Sequence, residues 1–68
     1  MKPVSGKRMC RLLEERGWQL DRINGSHHVY RHPVTGRSVT VPVHADANLK
    51  PGTQRSVMRD AGIAASDL

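Results

Sequence analysis

The residues best suited to chemistry lie close together in the segment NGSHHVYRHP, residues 24–33. This segment holds three of the four histidines, His27, His28 and His32, together with Arg31. Histidine can take up and return a proton near neutral pH, because its ordinary pKa is about 6.5. Arginine can stabilise the negative charge of a phosphate. The segment therefore indicates a metal site, an acid–base catalyst, a polyanion-binding surface, or the exposed polar residues of a strand.

Metal binding and nucleophilic catalysis both need partners that this sequence lacks. His28 and His32 have the spacing of a zinc-finger histidine pair, but no cysteine pair accompanies them and they fall in a predicted strand. The single cysteine, Cys10, falls on the predicted buried side of a helix, and Ser26 has no acidic partner placed to activate it. The six acidic residues are scattered, which argues against a two-metal nuclease. We therefore expect no metal and no cofactor.

Cleavage of RNA requires fewer catalytic groups from the protein, because the ribose 2′-hydroxyl is itself the nucleophile. The protein must supply a base near that hydroxyl, a cation near the phosphate and a grip on the backbone. The residues of this region that could supply them are Arg22, His27, His28, Arg31, His32 and Arg37. The alternative is that these histidines are exposed polar residues with no part in catalysis.

Charge and length restrict the classes of function. The chain has 68 residues, and we interpret residues 1–68 as a single domain with a small core. The net charge is +5 and most of the basic residues are arginine, which favours nucleic acid over an acidic protein or a membrane surface. A solvated basic surface without a ligand is the alternative. One cysteine, no signal peptide and no apolar run near the ~20 residues of a membrane span predict a cytoplasmic protein.

Caps and hydrophobic periodicity predict two helices, one on each side of the histidine segment. In VSGKRMCRLLEERGW, Ser5 is suited to be the N-cap and Gly17 to be the residue that ends the helix. Apolar residues between them recur at three- and four-residue spacing, as on the buried side of a helix. In PGTQRSVMRDAG, Pro51 suits the first turn and Gly62 the end.

Three segments between the helices predict strands, namely WQLDRI, SHHVYRH and SVTVPVH. Asn24-Gly25 predicts a tight hairpin turn with these two residues at its centre, and Gly36 predicts the second turn. The element order is therefore α-β-β-β-α. We predict an α+β fold, with a three-stranded antiparallel sheet and two helices packed on one face.

Strand alternation leaves open which face of this sheet carries His28. Alternation places His28 on the same face as Tyr30 and opposite Arg31. Since Tyr30 is expected in the core and Arg31 at the surface, His28 would face the helices. A bulge near Ser26–His27 would turn it to the other face.

Four segments in order make this chain resemble the HicA-type mRNA interferases, toxins of the HicA–HicB toxin–antitoxin systems: LLEERGW, RINGSHHVYRHP, VTVPVH and LKPGTQRSVMRDAGI. They occur in the family order within a resemblance that extends from Ser5 to Ile63, and their combination is specific although each alone is weak. The resemblance implies the fold of double-stranded-RNA-binding domains. It also implies RNA cleavage without metal or ribosome, which arrests translation. A cognate HicB-type antitoxin would cover the active site, and the oligomeric state would be set through that complex.

The resemblance also assigns roles to individual residues. The histidine of its G-S-x-H motif is His28, which we expect to act as the general base, with the adjacent His27 as the weaker candidate. Gly25 and Ser26 match the turn of the motif, where Gly25 would serve backbone geometry and Ser26 would hold the histidine or contact phosphate. Gln54 stands where such proteins often carry Leu, a change confined to the surface unless Gln54 faces the core.

Eight of the eleven basic residues are candidate contacts for the RNA backbone, and together they should make binding sensitive to salt. They are Lys7, Arg8, Arg22, Arg31, Arg37, Lys50, Arg55 and Arg59. Lys50 is of interest because helix N-termini bind phosphate, and His44 would lie near it as a secondary site residue or a structural one. The competing interpretations are a non-catalytic RNA-binding module of the same fold and an interaction domain for an acidic partner.

Overall fold

The protein folds as two α-helices on a three-stranded antiparallel sheet, as a computed structural model of all residues from 1 to 68 describes it. The elements are α1 Gly6–Glu15, β1 Gln19–Asn24, β2 His27–Arg31, β3 Ser38–Pro42, α2 Pro51–Ala61 and a 3-10 helix Ala65–Asp67. The strand order is β1-β2-β3. The predicted α+β architecture of double-stranded-RNA-binding domains is confirmed. Neither α-helix has the length and apolar character needed to cross a membrane.

Local signals fix the ends of both helices. The Ser5 hydroxyl oxygen accepts a hydrogen bond from the amide of Arg8, with an N–O distance of 3.1 Å, and so caps α1. Pro51 occupies the first turn of α2, where a missing N–H costs nothing. Gly62 follows α2 with φ of 71°, a left-handed conformation that favours glycine. These predicted boundaries are confirmed.

Both helices bury their apolar sides against the same face of the sheet. The core consists mainly of aliphatic and methionine side chains, with Trp18 and Tyr30 as its aromatic members. Its fully buried large side chains include Met9 and Leu13 from α1, and Tyr30 and Val41 from the sheet. The other face of the sheet has no helix, and we call it the open face, although Val29 in its middle strand is buried.

An irregularity in β1 determines which of its side chains face the helices. Leu20 pairs with Tyr30 and Ile23 pairs with His28, so that β1 has one residue more than β2 between these pairs. Such a bulge reverses the alternation of side chains beyond it. Ile23 therefore lies beside His28 on the helix side, and Arg22 lies on the open face.

One detail of the predicted hairpin is wrong. Asn24 still pairs with His27, so the turn consists of Gly25 and Ser26 rather than Asn24 and Gly25. Gly25 has φ of 63°, as in turns that need positive φ at the first central residue alone. The sequence left open which face of the sheet carries His28. No bulge occurs near Ser26–His27, since β2 pairs regularly with β3 along its whole length, and His28 therefore faces the helices.

Gln54 is the polar side chain of the core, and it joins α2 to the N-terminal segment. Its Oε1 accepts a hydrogen bond from the amide of Val4 at 3.1 Å, and its Nε2 donates to the carbonyl oxygen of Lys2 at 2.7 Å. A buried amide is tolerated when its hydrogen bonds are satisfied in this way. Gln54 thus faces the core, and its exchange for Leu is not a surface change.

The tightest contact between α1 and the sheet is at Gly6. A Cβ at this position would lie 2.4 Å from the carbonyl oxygen of Pro42 and 3.1 Å from the Cα of Val43. Both neighbours are backbone atoms, which cannot rotate away as a side chain can. The first turn of α1 therefore rests on the end of β3 through a residue without a side chain.

We predict that Gly6→Ala lowers the free energy of unfolding by about 1–3 kcal/mol, the usual cost of overpacking. Urea unfolding followed by circular dichroism measures it. Gly52→Ala is the matched control, since its added Cβ meets nothing within 4 Å. Alanine favours a helix by up to about 1 kcal/mol over glycine, so this control should unfold at the same or a higher urea concentration. Equal midpoints for the two variants would contradict the contact.

Candidate active-site groove

His28 lies half-buried in a groove between α1 and the edge strand β1. The groove has a volume of about 300 Å³ and is open to solvent along β1. Leu20 and Ile23 of β1 are 46% and 55% exposed although they point to the helix side. The groove residues used below are Lys7, Cys10, Arg11, Glu14, Leu20, Ile23, His28, Tyr30 and Val43.

The path of α1 explains how His28 faces the helices and yet stays accessible. α1 begins over β3, where Gly6 contacts Pro42, and its last turn reaches Tyr30 on β2. The helix therefore crosses the sheet obliquely and leaves one corner of the helix-facing side uncovered. His28, near the start of β2, and Ile23, near the end of β1, occupy that corner.

A hydrogen bond between α1 and the sheet forms one end of the groove. The Tyr30 hydroxyl donates to Oε2 of Glu14 across 2.7 Å. Burial, together with the hydrogen bond to the Glu14 carboxylate, raises the pKa of Tyr30 above its ordinary value. Tyr30 is therefore a neutral donor at physiological pH, and it holds the Glu14 carboxylate at the groove wall.

Cys10 lines the same groove as His28, which raises the question of a Cys–His pair. The thiolate is the reactive form of cysteine, and an electropositive, exposed setting favours it. Burial instead raises the pKa of the Cys10 thiol, and the residue is only 7% exposed. Cys10 is therefore a packing residue, in agreement with its predicted place on the buried side of the helix.

Two cationic side chains border the groove from α1. Lys7 pairs with Asp46 at 3.2 Å, but both side chains are largely exposed and such pairs are weak. Arg11 lines the groove and forms no ion pair. Arg11 was missing from the predicted RNA contacts. The sequence signal that could have identified Arg11 is its position four residues after Lys7, because residues four apart share one side of a helix.

Three of the predicted RNA contacts lie on the open face of the sheet, away from the groove. They are Arg22, His27 and Arg31, which the strand register places opposite to His28. Arg22 also pairs with the neighbouring Asp21 at 2.8 Å. The basic residues of the hairpin thus do not form one site with His28.

The turn before β2 supports the groove through its backbone. Ser26 is half-buried, and its carbonyl oxygen accepts a hydrogen bond from the amide of the groove residue Val43 at 2.7 Å. Gly25 supplies the positive φ that the turn requires. Both residues of the motif turn therefore fix the backbone immediately before His28.

Two other predicted residues meet at the start of α2. His44 and Lys50 line a cavity of about 390 Å³ there, together with Thr53. Arg55 is exposed on α2 and does not line this cavity. This region is separate from the groove, because the two cavities have no lining residue in common.

His32 has a structural place after β2. Its Nδ1 accepts hydrogen bonds from the amides of Val34 and Thr35 at 3.2 and 3.4 Å. Its ring also meets the Trp18 ring edge-on, with centroids 5.2 Å apart. No group of three or more histidine, cysteine, aspartate or glutamate side chains is arranged to hold a metal ion.

A comparison with known protein families agrees with this geometry. The family model described as the HicA toxin of bacterial toxin-antitoxin matches residues 6–63 of the 68-residue chain. The matched range includes both α-helices, the whole sheet and every residue that lines the groove. No curated protein matches the chain significantly. The family match confirms the resemblance that the four sequence segments indicate.

We predict that Tyr30→Phe lowers the free energy of unfolding by about 1 kcal/mol at neutral pH, because Glu14 loses its donor. The gap to the wild type should close as pH rises above about 10, the ordinary pKa of tyrosine. Above this pH the unfolded wild type ionises Tyr30 while the folded protein, with its raised pKa, does not. Urea unfolding of both proteins at neutral and alkaline pH measures the gap.

Tyr30 is the chain's single tyrosine, so phenolate absorbance reports on it alone. Folded wild-type protein should show no phenolate at the pH where a free tyrosine titrates. A phenolate signal at about pH 10 from protein that is still folded would contradict the buried hydrogen bond.

Proposed function

This chain belongs to the HicA toxin family, and we propose that it is an endoribonuclease toxin in which His28 is the catalytic residue. Toxins of this family are generally mRNA interferases. The observation that carries the proposal is the place of His28, which combines partial burial with access from the groove. His27 and His32 have no such position, because one lies on the open face and the other is held in a turn.

The groove supplies the three requirements of RNA cleavage. His28 provides a proton acceptor for the ribose 2′-hydroxyl. Arg11 provides a guanidinium without an acidic partner, and Lys7 a second cation, for the scissile phosphate. The apolar side chains of Leu20 and Ile23 form the outer wall, where a ribose or base can rest.

In the proposed reaction His28 takes the proton of the 2′-hydroxyl, and the 2′-oxygen attacks the adjacent phosphorus. The bond between phosphorus and the 5′-oxygen breaks, and that oxygen takes up a proton from the imidazolium or from water. The products are a 2′,3′-cyclic phosphate and a free 5′-hydroxyl. This scheme uses only side chains of the protein and needs no cofactor.

The same groove suits neutralisation by a HicB-type antitoxin. Exposed apolar side chains at Leu20 and Ile23, beside the cations of α1, are a surface that a protein partner can cover. An antitoxin seated there would keep RNA away from His28. The proposed setting is the cytoplasm, where the toxin as a single domain would meet mRNA and arrest translation.

We predict that His28→Ala lowers the rate of RNA cleavage by at least about 100-fold, as expected when a general base is removed. The measurement is the cleavage of a labelled RNA by purified protein, with circular dichroism to establish that the fold is retained. His27→Ala is the matched control: the histidine is adjacent but lies on the other face of the sheet. A His28→Ala protein that cleaves RNA or arrests growth like the wild type would refute the assignment.

The ends of the cleaved RNA distinguish this mechanism from metal-assisted hydrolysis. We expect a 5′-hydroxyl on one fragment, which polynucleotide kinase labels without prior phosphatase treatment, and unchanged cleavage in EDTA. A 5′-phosphate, or loss of cleavage in EDTA, would contradict base catalysis by His28. RNA that is bound but stays intact would favour a non-catalytic RNA-binding module of this fold.

A further inference from the structure

A third depression, beyond the end of β2, is lined by three arginines from three different parts of the chain. Its volume is about 340 Å³. Arg16 follows α1, Arg37 lies in the connection between β2 and β3, and Arg59 lies in the last turn of α2. The ring of His32 also lines it. We call this depression the arginine site.

The arginine site has more hydrogen-bond donors than its acidic groups can engage. Arg16 pairs through one terminal nitrogen with Asp67 at 2.5 Å, and Arg59 pairs through Nε with Asp60 at 3.3 Å. Arg37 has no acidic partner. Each guanidinium carries five N–H donors in a fixed plane, so most donors of the three groups stay available.

His32 adds a further donor to the arginine site. Its Nδ1 accepts hydrogen bonds from two backbone amides in the turn that follows β2. An acceptor at Nδ1 leaves the proton of the neutral ring on Nε2. The contact with Trp18 holds the ring in its orientation. The imidazole is therefore a fixed N–H donor among the arginines.

A structural role explains only part of this cluster. Arg16 and Arg59 lie at the C-terminal ends of helices, where a positive charge is favourable because of the helix dipole. Arg37 lies just before β3, far along the chain from either helix end and without a carboxylate partner. The favourable charge at helix ends therefore does not explain why Arg37 also lines this depression.

We propose that the arginine site binds a phosphate of the RNA strand whose cleaved bond lies at His28. Arginines that line one depression from three parts of the chain can surround a tetrahedral phosphate, whereas one arginine is sufficient for a planar carboxylate. His32 follows His28 by four residues of extended chain, about 14 Å for a strand. A short RNA segment spans this distance. The proposal rests on the proposed function, since it names a second contact of the same substrate.

The test measures RNA affinity in proteins that cannot cleave, so every variant carries His28→Ala. Fluorescence anisotropy of a labelled single-stranded RNA is recorded over a series of salt concentrations. Adding Arg37→Ala should weaken binding and reduce the slope of log affinity against log salt by about 0.7, the share of one phosphate contact on a single strand. Lys2→Ala removes the same charge from an exposed residue outside the site, and should leave the slope unchanged.

The outcomes separate this site from the proposed cleavage. Equal slopes for the Arg37→Ala and Lys2→Ala proteins would overturn the arginine site. So would an Arg37→Ala protein that keeps its RNA affinity and loses affinity for polyglutamate, because the partner would then be an acidic protein. Wild-type protein that leaves RNA intact, with a reduced slope in Arg37→Ala, would refute cleavage and retain the site.

Discussion

The contact of Gly6 with the backbone of β3 is the constraint on which the other features depend. Because no side chain separates them, α1 can start directly on the end of β3 and cross the sheet towards Tyr30. A helix seated further away would lose the hydrogen bond between Tyr30 and Glu14. The oblique crossing covers the middle of the sheet and leaves the corner at His28 open. The position of α1 thus determines both the packing of the core and the opening of the groove.

Features that depend on neighbouring residues could be predicted from the sequence, and features that depend on pairing across the sheet could not. The caps at Ser5 and Gly62 depend on contacts within a few residues, so the residue types at these two positions predict them. The bulge in β1 lets Leu20 pair with Tyr30 and Ile23 pair with His28, and the pairing of Asn24 with His27 shifts the first turn by one residue. No local signal distinguishes this register from a regular one.

The catalytic candidate His28 could be predicted from the sequence, but the side chains that surround it in the fold could not. The motif identifies His28, while the fold decides which charges accompany it. Arg22 and Arg31 are closer to His28 in sequence than Arg11 is, yet the register places both on the other face. The spacing of Arg11 and Lys7 places them on one side of α1, but only the path of α1 across the sheet brings that side to the groove. Three histidines within six positions consequently have three different environments.

The hydrogen bonds of Gln54 determine how much of the chain must be synthesised before the fold is complete. The backbone of Val4 receives its partner from a residue that lies 50 positions later in the chain. The backbone polar groups of the segment before α1 are therefore not all hydrogen-bonded until α2 has left the ribosome and folded. The N-terminal part cannot acquire its final structure as an independent early unit. A nascent chain must consequently extend beyond Gln54 before the groove that it will expose has its finished shape.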